Sequence, residues 1–133
     1  MKKYLILLLL SAFLLCSCAY DRGTILVYSQ PVKKETVQND EKNFRIGEKI
    51  YYLFLAPKRM ENEYIRVQIF KMTDKAHKGG YEIVRRKDFR LMKDQRYYHS
   101  DYFVLHEKGR YVMQVFSIDN LQYPLSLNDF YVK

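Results

Sequence analysis

From residue 24 onward, apolar residues recur at every second position in short runs. No stretch sustains the 3.6-residue period of an amphipathic helix. Such a chain has to bury its apolar side chains between sheets. Residues 24–28 (TILVY), β-branched and aromatic, read as a first strand. Residues 30–43 are polar, contain Pro31 and read as a loop or spacer, with a weak edge pairing as the alternative. Residues 48–56 (EKIYYLFLA) are apolar on both alternations, which predicts a strand buried on both faces or covered on its outer one. Residues 64–70 (YIRVQIF) alternate cleanly, with Ile65, Val67 and Ile69 inward. Residues 81–91 read as a strand followed by a second short one at Phe89-Arg90-Leu91, after a Gly79-Gly80 turn. Residues 97–105, 110–118 and 123–132 complete the set, the last with a bulge expected at Asn128-Asp129. Seven or eight strands at roughly 10-to-15-residue spacing point to an all-β antiparallel sandwich, with a small closed barrel as the alternative.

The beginning of the chain obeys different rules. Lys2 and Lys3 precede an apolar run over residues 4–15, interrupted only by Ser11 and followed by Cys16-Ser17-Cys18. A charged start, an apolar core and a small residue before the cut form the layout of a secretory signal peptide. The run falls short of the about 20 apolar residues that cross a bilayer. The tetrad Leu15-Cys16-Ser17-Cys18 resembles the lipobox of bacterial lipoproteins: an aliphatic residue at −3, a small one at −1, then the lipidated cysteine. Cys16 is the competing acceptor, but it would place the bulky Leu15 at −1. The resemblance implies a signal peptide over residues 1–17, a diacylglycerol thioether on Cys18 and an acylated new amino terminus. Two or more acyl chains give stable anchoring. Ala19 follows the cysteine, where Asp would signal inner-membrane retention in such lipoproteins, so the resemblance favours the outer membrane.

Removing 17 residues from 133 leaves 116, one ordinary domain. The expected division is residues 18–43 for the lipidated terminus, first strand and spacer, and 44–133 for the β-sandwich. Loss of Lys2 and Lys3 leaves 21 basic against 15 acidic residues, a charge of +6. That favours anionic head groups or polysaccharide as neighbours; an exported protein has little access to nucleic acid. With Cys18 lipidated, no disulfide can form, and the core must hold the fold alone.

Glu107, Gly109, Tyr111 and Met113 stand two apart. This run resembles the start of strand F in immunoglobulin-like domains, where an acidic residue, Gly, Tyr and the second cysteine hold those places. The resemblance implies a tyrosine corner at Gly109 and Tyr111, with the Tyr111 ring in the core and its hydroxyl bonded to backbone upstream. Met113 would fill the space of the missing disulfide sulfur. The chain has no Trp, no partner cysteine, and Glu in place of the usual Asp. It therefore resembles the cysteine-free bacterial sandwiches over residues 44–132. A generic turn with a core tyrosine is the plainer alternative.

The residues that could carry chemistry are few. His77, His99 and His106 lack metal-ligand spacing, although His99 and Asp101 share a strand face, so no metal and no cofactor are expected. No nucleophile motif or phosphate loop is present, and the paired Glu61 and Glu63 sit in a charged turn, so no enzyme is expected. Arg85, Arg86, Lys87 and Arg90, with Lys93 and Arg96 beyond, form a basic run that resembles heparin-type glycan-binding patterns. The competing reading is a charged edge strand that blocks edge-to-edge pairing. Tyr51, Leu53 and Leu55 form the outward alternation of an unusually apolar strand, a candidate partner face. Two functions follow: a lipid-anchored periplasmic module that binds an envelope protein, or a surface-exposed binder of polyanionic glycan or host matrix.

Overall fold

The computed structural model describes residues 22–73 and 80–133. Eight strands form in chain order: β1 (Thr24–Tyr28), β2 (Asn43–Phe44), β3 (Lys49–Leu55), β4 (Tyr64–Met72), β5 (Tyr81–Arg90), β6 (Tyr98–Val104), β7 (Gly109–Ser117) and β8 (Ser126–Val132). One sheet has the order β1-β3-β6 and the other β2-β8-β7-β4-β5. All neighbours are antiparallel except β2, which runs parallel to β8. Five of the seven connections cross between sheets, so the core is assembled from segments remote in sequence.

The inner faces follow the alternation of each strand. Ile25 and Val27, Ile50, Tyr52 and Phe54, and Phe103 come from the three-stranded sheet. Ile65, Val67, Ile69, Tyr111, Met113, Val115 and Phe130 oppose them. Burial of each such side chain contributes about 1.5–3 kcal/mol, which is how a chain of this size holds together by its core. Phe130 ties the layers, its ring centroid 5.8 Å from those of both Tyr111 and Phe103.

The arrangement is an immunoglobulin-like sandwich: three strands matching A, B and E face four matching G, F, C and C′. The tyrosine corner is in place, because the buried Tyr111 hydroxyl donates to the Glu107 carbonyl at 2.7 Å. Gly109 opens β7 at φ 157°, and a Cβ there would lie 2.8 Å from Cε of Lys71, which reaches across to Glu107. Met113 is fully buried.

The two sheets are stitched along one side only. There Gly23 N donates to Leu125 O, and Asn128 Nδ2 to Ile25 O, both at 2.8 Å. On the other side β5 and β6 are separate sheet edges and share no ladder, so the closed barrel is excluded.

Four expectations change. The sandwich begins at β1, not at residue 44, because β1 pairs along the whole of β3 and places Ile25 and Val27 in the core. The polar segment 30–43 is correspondingly no free spacer. Asp40 Oδ1 accepts from Val27 N at 2.8 Å, and Glu41 accepts from Ser29 N at 2.5 Å. Residues 81–90 form one continuous strand, and the bulge lies between Ile69 and Phe70 in the β4–β5 ladder, while β7 and β8 stay in register through Asn128 and Asp129.

Candidate functional site

The outer face of the three-stranded sheet is built from three rows across β1, β3 and β6. They are Thr24–Leu55–Tyr98, Leu26–Leu53–Ser100 and Tyr28–Tyr51–Tyr102. Lys49 and Val104 extend the face beyond the last row. No acidic residue stands on it. Tyr51 and Tyr102 pack at 5.6 Å between ring centroids, and Lys49 Nζ lies 4.9 Å over the Tyr102 ring. At one corner segment 30–43 folds over the face, and the Tyr28 hydroxyl donates to the Val37 carbonyl. Elsewhere the face is open: Leu55, Tyr98 and Tyr102 are each about two-fifths exposed.

Tyr51, Leu53 and Leu55 therefore share the outward face that their alternation predicts, but they are not equal. Leu53 is only 9% exposed, lying between Leu26 and Ser100 in the central row. It supports the face from within, while Leu55, Tyr98 and Tyr102 supply its accessible surface. In the sequence Tyr98 and Tyr102 stand out only as two of many tyrosines whose outward rings could make a contact surface; strand pairing brings β6 beside β3 and joins them to this face.

The basic strand β5 does not form one patch. Its pairing with β4 sends Arg85 and Lys87 to the inner side, opposite Ile69 and Val67, and sends Arg86 and Arg90 outward. On the outer side the charges are already engaged. Arg86 Nε donates to Gln68 at 3.1 Å, and Arg90 Nε to Glu63 at 3.2 Å. Arg66 grips Asp88 through both oxygens, at 2.8 and 3.2 Å, which holds the Asp88 carboxyl below its ordinary value and the Arg66 guanidinium above its own. The four predicted anion-binding residues thus divide between two faces, because side chains alternate along a strand.

Arg85 and Lys87 look into the unstitched side of the sandwich. Opposite them stand His99 and Asp101 of β6 and the hydroxyl of Tyr52. The hydroxyl and His99 Nε2 share a hydrogen bond of 3.1 Å, and Phe89 packs on the imidazole at 4.3 Å between centroids. Burial lowers the His99 pKa, Asp101 opposes this, and Lys87 adds to it. Burial also pushes the Tyr52 hydroxyl well above its ordinary value, so it stays protonated. The space enclosed here is about 10 Å³, room for about one water. The cluster closes the rim of the core and leaves no room for a substrate. The shared face of His99 and Asp101 was legible in sequence; Tyr52 was hidden inside an apolar run. Among the described residues, no group of three or more His, Cys, Asp or Glu could hold a metal ion. Cys18, Ala19 and His77 lie outside the described residues.

The sequence matches no protein-family model and no curated protein. Among solved structures, the chain is similar to the soluble domain of PmoD from Methylocystis sp. ATCC 49242, at 13% identity. That match covers 86% of this chain and 93% of the other, with a TM-score of 0.49. It is similar to an immunoglobulin-like protein of Pseudomonas aeruginosa at 13% identity, covering 84% and 91%, with a TM-score of 0.47. It is also similar to part of the alkylpurine DNA glycosylase AlkC of Pseudomonas fluorescens, at 10% identity over 84% of this chain and 30% of that one, with a TM-score of 0.44. At this level of likeness none bears on what the chain binds.

Proposed function

We propose that this chain is a lipid-anchored, non-enzymatic binding module of the bacterial envelope. Lipid on Cys18 holds it at the membrane, with the outer membrane favoured by Ala19, and the outer face of its three-stranded sheet docks an envelope protein. The observation that carries this reading is the open face of Leu55, Tyr98, Tyr51 and Tyr102. An apolar, tyrosine-rich surface without acidic groups suits the desolvated centre of a protein interface, where Tyr is enriched and charge is depleted. Its one cation, Lys49, already lies over the Tyr102 ring. A polyanion would find no anchor there. The glycan reading ranks second, because the basic run splits into two pairs, Arg85 with Lys87 on the inner side and Arg86 with Arg90 on the outer, where Gln68 and Glu63 already engage them.

The test is crosslinking in intact cells with the full chain. Tyr102→Asp together with Leu55→Asp, both at exposed positions, is expected to reduce the crosslinked partner at least tenfold while leaving the melting temperature nearly unchanged. The triple change Arg85→Gln, Arg86→Gln, Lys87→Gln is expected to leave the crosslink intact. The opposite pattern would overturn the reading in favour of the polyanion. Cys18→Ser should move the protein out of the membrane fraction; retention there would sink the lipid anchor.

A further inference from the structure

We propose that the end of the sandwich where the chain enters is a membrane-contacting surface, and that its occupant is the head-group layer of a phospholipid bilayer. The inference rests on the anchoring reading above. It adds which surface faces the lipid.

Four segments meet at this pole: residues 22–23 and the loops 56–63, 91–97 and 118–125. Backbone hydrogen bonds tie them to one another. Gly23 N donates to Leu125 O, Ala56 N to Tyr97 O, Met60 N to Arg96 O and Leu91 N to Glu63 O, all between 2.5 and 2.9 Å. The pole is therefore a shaped surface and not a set of independent tips. Its loops hold out Tyr123 at 72% exposure, Met92 at 63%, Tyr97 at 55% and Leu121 at 44%. Among the described residues, the loops at the opposite pole expose one large apolar side chain, Ile46.

Scattered exposed apolar residues are ordinary. The opposite end exposes Met72, Tyr81 and Ile83 too, but on strands; here the exposed apolar tips stand on hydrogen-bonded loops, and cations accompany them. Arg22, Lys58, Arg59 and Lys93 are exposed and have no ion-pair partner among the described residues; Glu61, Asp94 and Asp119 stand exposed and without an ion pair beside them, so the surface is close to balanced in charge and suits the mixed charges of phospholipid head groups. Aromatic and thioether tips beside free Lys and Arg match the two layers of a bilayer surface, in which apolar bodies enter the acyl boundary and cations stay with the phosphates.

The length of chain before Arg22 supplies the second argument. Four residue steps separate Cys18 from Arg22, at most about 14 Å of extended chain. Lipid on Cys18 therefore holds this pole within reach of the head groups. The apolar run over residues 4–15 enters from the same end, so an anchor through that run would present the same surface. In this orientation the opposite pole points away from the bilayer, and the open face of the three-stranded sheet stands upright where a partner can reach it.

The chain contains no Trp, so an introduced one reports alone. Full-length protein carrying Tyr123→Trp is reconstituted in phosphatidylethanolamine and phosphatidylglycerol vesicles with brominated acyl chains. Tyr81→Trp, at the far end of β5, serves as the reference. The expected result is a blue-shifted emission quenched at least twofold for Tyr123→Trp and unquenched emission for Tyr81→Trp. Co-flotation with the vesicles is scored on the same samples. Co-flotation with both probes unquenched overturns the contact surface and leaves the anchor standing. Equal quenching of both probes also overturns it, because the protein would then lie on its side. Absence of co-flotation sinks the anchor and the contact surface together.

Discussion

The two sheets turn their backs to solvent in different ways. On the five-stranded sheet the outward charges are answered, Arg66 by Asp88, Arg86 by Gln68, Arg110 by Asp129 and Arg90 by Glu63 of the preceding loop, with Tyr64, Leu127 and Tyr131 exposed between them. On the three-stranded sheet the outward positions hold Leu26, Leu53, Leu55 and four tyrosines, and no acid. A face laced with exposed ion pairs is already suited to water. A face of Leu and Tyr gains free energy only when something covers it. The same fold thus carries one back laced with ion pairs and one back of Leu and Tyr without an acid, and the difference lies in the residues at alternate positions of a few strands.

The sharpest way to break this comparison is to cut the centre of each face. Leu53 is nearly buried within its own face, whereas Gln68 holds the matching central place on the other sheet, between Arg86 and Gln114. Leu53→Ala removes packed apolar volume and is expected to cost about 2–3 kcal/mol, near the low end for such truncations. Gln68→Ala at a solvated position is expected to cost about 0.5 kcal/mol. Urea denaturation of the two variants decides it. Equal costs would mean that the Leu53 side packs no better than the charged one, and the adhesive reading would lose its basis.

Acid should separate the two sheets next. At the rim of the three-stranded sheet His99 is packed against Phe89, bonded to Tyr52 and faced by Asp101, Arg85 and Lys87. Its folded-state pKa lies below the ordinary 6.5, chiefly through burial. The unfolded chain therefore takes up the proton first as pH falls. Stability is full above about pH 6.5 and declines below it, until the folded-state pKa is passed. On the five-stranded sheet the sign is that of depressed carboxylates. Asp88, held by Arg66, and Glu107, held by Lys71, stabilise at pH values above their ordinary range and lose that contribution only in stronger acid. Thermal melts are expected to show a first decline beginning near pH 6.5 and a second below about pH 4. His99→Gln should remove the first and leave the second. A single decline below pH 4 in the unaltered protein would contradict the burial of His99.

How much of this was legible in the sequence depends on the distance over which the signal acts. The alternation in residues 64–70 and the spacing of Glu107, Gly109 and Tyr111 are local, and both lead directly to β4 and to the tyrosine corner. The outward set Tyr51, Leu53 and Leu55 was likewise written in one strand. Pairing between strands was not. Nothing near Leu53 announces that Leu26 and Ser100 flank it, and nothing near Arg90 announces Glu63 from another loop. The alternation that puts Arg85 and Lys87 on one side of the basic run and Arg86 and Arg90 on the other follows from strand periodicity alone, but the groups that engage the outer pair, Gln68 and Glu63, do not. The boundary at residue 44 failed for the same reason. The polar segment before it looks like a spacer until Asp40 and Glu41 are seen to accept hydrogen bonds from the strand that the segment follows.

The smallest expected effect tests the solvated face alone. Arg66 and Asp88 form a two-pronged ion pair, but it stands in water, with two-fifths of the Asp88 side chain exposed. Coulomb attraction there is weakened by solvent, and ordering two side chains offsets part of what remains. A double-mutant cycle with Arg66→Gln and Asp88→Asn is therefore expected to give a coupling of about 0.5 kcal/mol, falling as salt is raised. The geometry would allow more if water were excluded, since paired N–H donors on one carboxylate are strong when desolvated. A coupling above about 1.5 kcal/mol that persists in high salt would exceed what an exposed pair supplies. It would mean that this face too is screened from solvent in the working protein, and the contrast between the two backs would have to be redrawn as two covered faces with different partners.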